Sequence, residues 1–264
     1  MIVDRPLTIG ELFDRAVTRL VRCGVPVAML TLVLVVAAVA QNLFTPRLTA
    51  HYDAAAIVFM FCWFIAEAVY AFLSFAAAVR LYGGESLGAV DALRAVVRDD
   101  PWRLVRLALL TGFIGAVGLW ILGGLIGLVG GAASGAGVIV LLIVAGPVTA
   151  FFQLAFATCV LEGTPAVVSL GNAWSRAFAF GERRRSVLLL YAIILAEWVP
   201  LYGIDAIGTG LSRLFQLPLF ATVTQGAGGP IGTAIGAALL TVAALDYRVR
   251  TQGADLEAAL DGVP

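Results

Sequence analysis

Apolar residues occur along the chain in six blocks separated by short polar stretches. A helix crossing a bilayer takes about 20 predominantly apolar residues. That length draws spans over Gly24–Phe44, Ala54–Val79, Leu104–Gly130, Gly137–Leu161, Val187–Ile204 and within Phe220–Leu245. The expected fold is all-α: a polytopic transmembrane helical bundle of six spans, forming one integral membrane domain over residues 1–264.

Three shorter stretches are built differently. In SLGAVDALRAVVRDDPWRLVR, Ser86–Arg106, a helical period puts Val90, Leu93, Val96 and Val97 on one arc, with Asp91, Arg94, Arg98 and Asp99 on the other. Between Thr8 and Arg22, Leu12, Phe13, Ala16, Val17 and Leu20 face away from Glu11, Asp14, Arg15, Thr18, Arg19 and Arg22. Between Thr164 and Phe180, Val167, Leu170, Ala173, Trp174, Ala177 and Phe178 oppose Ser169, Asn172, Ser175 and Arg176. The pattern predicts three amphipathic interfacial helices on the cytoplasmic side, each ahead of a pair of spans. Their candidate N-caps, Thr8, Ser86 and Thr164, stand 78 residues apart both times. That spacing predicts a threefold repeat over 8–85, 86–163 and 164–250. The outer connections are short, and Leu211, Leu214 and Phe215 are expected to form a small helix on the outer leaflet.

Composition supports the membrane reading: 61% of residues are apolar and 13% charged, against about a quarter charged in soluble domains. Net charge is zero, which gives no basis for a nucleic-acid partner. The placement of charge says more. All 17 cations are arginine, and the six spans put every one on the same side except Arg47 and Arg213. Because cytoplasmic loops carry the cationic excess, both termini are expected to be cytoplasmic. Arg15, Arg19, Arg22, Arg94, Arg98, Arg183, Arg184 and Arg185 are then candidates for lipid headgroup or partner contacts.

Much chemistry is excluded. Without lysine there is no phosphate-loop lysine, Schiff base or Ser-Lys dyad. Cys23, Cys62 and Cys159 are widely spaced and read as packing thiols. His51 is the single histidine, too few for a histidine metal cluster. The N-terminal stretch lacks the pattern of a removable signal peptide. No catalytic residue, metal or cofactor is expected.

Two carboxylates interrupt the spans: Glu67 in FIAEAVYAF and Glu197 in ILAEWVPLY, the latter three residues before Pro200. Ionisable groups at that depth are costly and mark functional positions by default. Two readings stand: both are neutral carboxyls facing the bundle interior and donating to a carbonyl or to Gln153, or both are members of a proton, ion or substrate path. Glycines recur every fourth residue at Gly123, Gly127 and Gly131 and at Gly228, Gly232 and Gly236. Such rows let helix backbones approach closely, within one chain or between copies.

The opening run from Arg5 to Ala16 (RPLTIGELFDRA) and the closing Asp246-Tyr247-Arg248-Val249-Arg250 with Gly253, Asp255 and Leu256 are distinctive. On these residues the whole chain resembles a bacterial family of six-span proteins related to the membrane domain of glycerophosphoryl diester phosphodiesterase. It departs from the family pattern at Leu245, Gln252 and Ala254. The resemblance implies a bacterial inner-membrane location and a role as an accessory subunit, with no catalytic residue carried over because hydrolysis there belongs to a separate soluble domain. The expected function is a non-enzymatic inner-membrane scaffold or accessory protein, organising lipids or a protein partner at the cytoplasmic face. The alternative is a small transporter or lipid-handling permease using Glu67 and Glu197. Expected partners are membrane lipids and either a membrane protein or a second copy of the chain.

Overall fold

The computed structural model describes residues 6–49, 54–85, 87–99, 101–111, 114, 135–178 and 183–261. Among these residues every regular element is helical. The order is α1 (Ile9–Arg22), α2 (Gly24–Thr49), α3 (Ala54–Gly83), α4 (Ala89–Arg98), α5 (101–111), α6 (Gly135–Glu162), α7 (Ala166–Ala177), α8 (Arg183–Phe215) and α9 (Leu219–Asp261).

Four of them, α2, α3, α8 and α9, are long and apolar enough to cross a membrane, and α6 with α7 makes a fifth candidate if that bent pair is one span. The pair bends by 117°. Gly163, at the break, takes a φ of +67° that a side chain would oppose, and Arg103 Nη1 donates to its carbonyl at 2.7 Å. Most of the expected third span, Leu104–Gly130, lies outside the described residues, as does the first glycine row, Gly123, Gly127 and Gly131.

The surroundings of these helices can be read from what they expose. Along α3, Ile57, Val58, Phe59, Phe61, Phe64, Ile65 and Val69 all face outward. So do Val25, Met29, Leu32, Val33 and Val36 on α2. Contiguous surfaces of this size are not left in water by a folded chain, and hydrocarbon is the solvent that suits them. The chain is a membrane-embedded helical protein. Several hydroxyls are satisfied locally: Thr31, Thr158, Thr233 and Thr251 each donate to the carbonyl four residues back, at 2.6–3.0 Å.

The chain forms two compact units, to both of which α1, α8 and α9 contribute. One comprises Met1–Arg15, Asp99–Ile194 and Leu239–Pro264. Its buried residues include Leu7, Leu12, Leu107, Leu154, Leu189, Ile193 and Leu240. Within it α7 lies on α6, where Trp174 meets Phe151 edge-on at 5.7 Å. The other comprises Ala16–Arg98 and Leu195–Ala238, with Val27, Leu30, Ala77, Val79, Tyr82, Ala92 and Val96 buried. There α2, α3 and α4 pack on one another, and the Tyr82 hydroxyl donates to the Ala234 carbonyl of α9 at 3.3 Å.

The short helices differ from the sequence expectation in which face is buried. On α4, Ala92 and Val96 turn inward while Val90 and Val97 stay exposed, so the single apolar arc is divided. Its width exceeds what one packing contact covers, and the remainder is left for the surroundings. On α7 the expected polar residue Ser169 is fully buried with Ala166, Ala173 and Ala177, while Val167, Val168 and Trp174 are outside. Small side chains allow close approach to α6, and bulky ones are excluded by it. Thr164 does not cap α7: the N-cap is Pro165, without a side-chain cap, and Thr164 Oγ1 pairs with Ser169 Oγ at 2.7 Å. Thr8 does form a capping box with Glu11, through Thr8 N–H to Glu11 Oε2 at 2.8 Å and Glu11 N–H to Thr8 Oγ1 at 3.3 Å. Ser86 lies outside the described residues. Leu211, Leu214 and Phe215 close α8 itself, because no breaker interrupts the helix before Gln216 at φ 56°.

Candidate functional site

In the first unit Leu7, just ahead of α1, meets Asp246 on α9. The Asp246 side chain is wholly buried. Asp246 Oδ1 accepts from the Leu7 backbone N–H at 2.6 Å, and Oδ2 accepts from Arg185 Nη2 at 2.7 Å and Arg250 Nε at 3.0 Å. Both arginines also donate to the Leu7 carbonyl, at 2.9 and 2.7 Å. One carboxylate thus holds two cations and an extended backbone segment, the multiple pairing that makes a buried charge tolerable. Arg185 lies over the Tyr247 ring at 5.8 Å, and the Tyr247 hydroxyl pairs with Ser186 Oγ at 2.7 Å. Leu7 of the opening motif and Asp246, Tyr247 and Arg250 of the closing motif are therefore joined, with Arg185 and Ser186 of α8, in one clasp.

Sequence reasoning missed Asp246. The signal was present: it is the single carboxylate between the apolar run of α9 and a pair of arginines. Of the ERRR run, Glu182 lies outside the described residues, Arg183 and Arg184 are exposed, and Arg185 is drawn into the clasp. Arg22, Arg94 and Arg98 are exposed, whereas Arg15 and Arg19 are half-buried. Arg94 pairs loosely with Asp91 at 3.4 Å, and Arg176 pairs closely with Glu162.

In the second unit Glu197 and the second glycine row come together. Glu197 is 8% exposed. A Cβ built on Gly236 would stand 1.8 Å from Glu197 Oε1, one on Gly232 would stand 2.3 Å from the Glu197 carbonyl oxygen, and one on Gly228 2.7 Å from that of Leu201. The row is thus a track on α9 into which α8 settles, backbone on backbone, and it serves packing within the chain. The Glu197 carboxyl occupies space that any other residue at 236 would fill. Gln153, considered as a partner for either glutamate, lies on α6 in the first unit. Glu67 on α3 is half-buried, with the Trp63 indole N–H one turn earlier as its polar neighbour. Beside Trp63, a pocket between α2 and α3 is lined by Gln41, Phe44, Thr45, Phe59 and Met60.

At the junction of α1 and α2, the Cys23 thiol donates to the Leu81 carbonyl at 3.4 Å. Burial pushes its pKa above the ordinary thiol value, while the Arg19 and Arg22 guanidiniums pull it the other way. Among the described residues no three His, Cys, Asp or Glu side chains converge as a metal site.

These features define a membrane-embedded all-helical protein with a structural ion cluster near its chain ends and a carboxyl seated in a glycine track. No protein-family model, curated protein or solved structure matches the chain.

Proposed function

We propose that the protein is a non-enzymatic scaffold or accessory protein of a bacterial inner membrane, crossing it six times with both termini in the cytoplasm. It belongs on this reading with the six-span family that its two ends resemble, with a threefold order of short helix and two spans in which α1, α4 and α7 lie at the cytoplasmic interface. One observation carries the reading. Each of the three short helices buries one set of residues and leaves further apolar ones exposed: Val17 and Val21 on α1, Val90 and Val97 on α4, Val167 and Trp174 on α7. Beside them Arg22, Arg94 and Arg98 are exposed. A helix with that double face is suited to lie on a protein and in the headgroup layer at once.

The rival reading is a small transporter. It is favoured by one feature, the carboxyl of Glu197 buried within a long apolar helix near Pro200.

Two measurements separate them. A fluorophore on Cys at Val97, in vesicles, is expected to be quenched by lipid-borne quencher and not by aqueous iodide; the reverse result removes the scaffold reading. Vesicles loaded with a pH dye and carrying the protein are expected to leak protons no faster than empty ones. A proton flux present in the wild type and lost in Glu197→Gln would establish the transporter instead.

A further inference from the structure

Residues 183–190 of α8 and 241–250 of α9 carry Arg183, Arg184, Arg185, Arg248 and Arg250 against one carboxylate, Asp246. The two segments are fixed side by side by the Arg185–Asp246 ion pair and the Tyr247–Ser186 hydrogen bond, both 2.7 Å. Within the clasp Asp246 is fully engaged by Arg185, Arg250 and the Leu7 N–H. Arg183, Arg184 and Arg248 are left exposed, with no carboxylate partner among the described residues. Arg183 makes only a long bond to the Phe178 carbonyl, at 3.4 Å. No acidic residue stands in the first turn of α8, so Arg183 and Arg184 lie at the helix end that disfavours cations.

We propose that this arginine surface binds the phosphate of an anionic phospholipid, which names one partner of the membrane scaffold and rests on that reading. Charge alone would also suit an acidic protein. The lipid is distinguished by the residues next along α8: Val187 and Leu188 are exposed at 39% and 52%, one turn past the arginines. Guanidinium groups in the headgroup layer with aliphatic side chains one turn deeper match a phosphate with its acyl chains. The internal clasp supplies rigidity, because Arg185 and Asp246 hold the two helix segments and the outer arginines ride on them.

Native mass spectrometry of the full-length protein, released from mixed micelles holding phosphatidylglycerol and phosphatidylcholine, tests this. The wild type is expected to retain phosphatidylglycerol preferentially. The triple variant Arg183→Gln, Arg184→Gln, Arg248→Gln is expected to bind it about tenfold or more weakly, since each arginine near an anionic surface is worth roughly a fivefold preference. The corresponding triple lysine variant keeps the charge and is expected to retain most of the binding. If the glutamine variant does not fold, the wild-type preference is measured against ionic strength instead and is expected to fall as salt rises. Equal retention of the two lipids, wild-type binding by a folded glutamine variant, salt-independent preference, or full displacement of the lipid by inorganic phosphate would each overturn the site. None of those outcomes touches the Val97 measurement, which tests the scaffold reading on α4.

Discussion

Asp246 shows how much one residue can organise. It carries no exposed surface, and it joins Leu7 to α9 across 239 residues of sequence. Asp246→Asn keeps the shape but removes the charge that balances Arg185 and Arg250. The expected loss is about 2–4 kcal/mol, near the lower end for a broken buried pair because the two arginines remain partly solvated, with 18% and 22% of their side chains exposed. Reversible unfolding in mixed micelles would measure it, and a loss within error would mean that the clasp is not under load. The residues of the clasp were legible as unusual motifs at both ends, and their contact was not. A one-dimensional pattern records the period within a helix, but nothing in it pairs residue 7 with residue 246. Glu197 differs. Its depth in an apolar run made it visible at once, whereas its neighbour at Gly236 became apparent only when the two helices were laid together.

At the level of elements, the hydropathy blocks translated directly into α2, α3, α6, α8 and α9 because hydrocarbon requires every backbone group to be satisfied within the helix. The three short helices were also legible from their period. Their buried faces were not, since small residues such as Ala92, Ser169 and Ala173 carry little hydrophobic signal yet permit the closest packing. The same principle sets the seam between α8 and α9. Gly232→Ala drives a methyl group into the Glu197 carbonyl, whereas at Gly229 the nearest atom would be 3.9 Å away. Gly232→Ala is therefore expected to cost about 1–3 kcal/mol or displace α8, and Gly229→Ala to be tolerated. Equal thermal stability of the two variants would contradict a track fitted this tightly. The expected fifth span stopped at Ile204, whereas α8 runs on through Gly208 and Gly210 to Phe215. In a membrane helix glycine packs as readily as it breaks.

For the molecule as a whole, the strongest sequence signal was the sidedness of arginine, a constraint imposed by insertion rather than by packing. It predicts that a membrane-impermeant reagent reaches Cys at Gly135 from outside the cell and Cys at Arg184 only after permeabilisation. Labelling of Gly135→Cys solely in permeabilised cells would break the six-span topology. The Asp246 clasp also orders events in time. During synthesis at about 5–20 residues per second, Leu7 leaves the ribosome and waits roughly 10–50 s for Asp246, 239 residues later. Until then the newborn N-terminal segment lacks its anchor, so a nascent chain stalled before α9 is expected to be open to added protease at Leu7, a residue the finished protein buries.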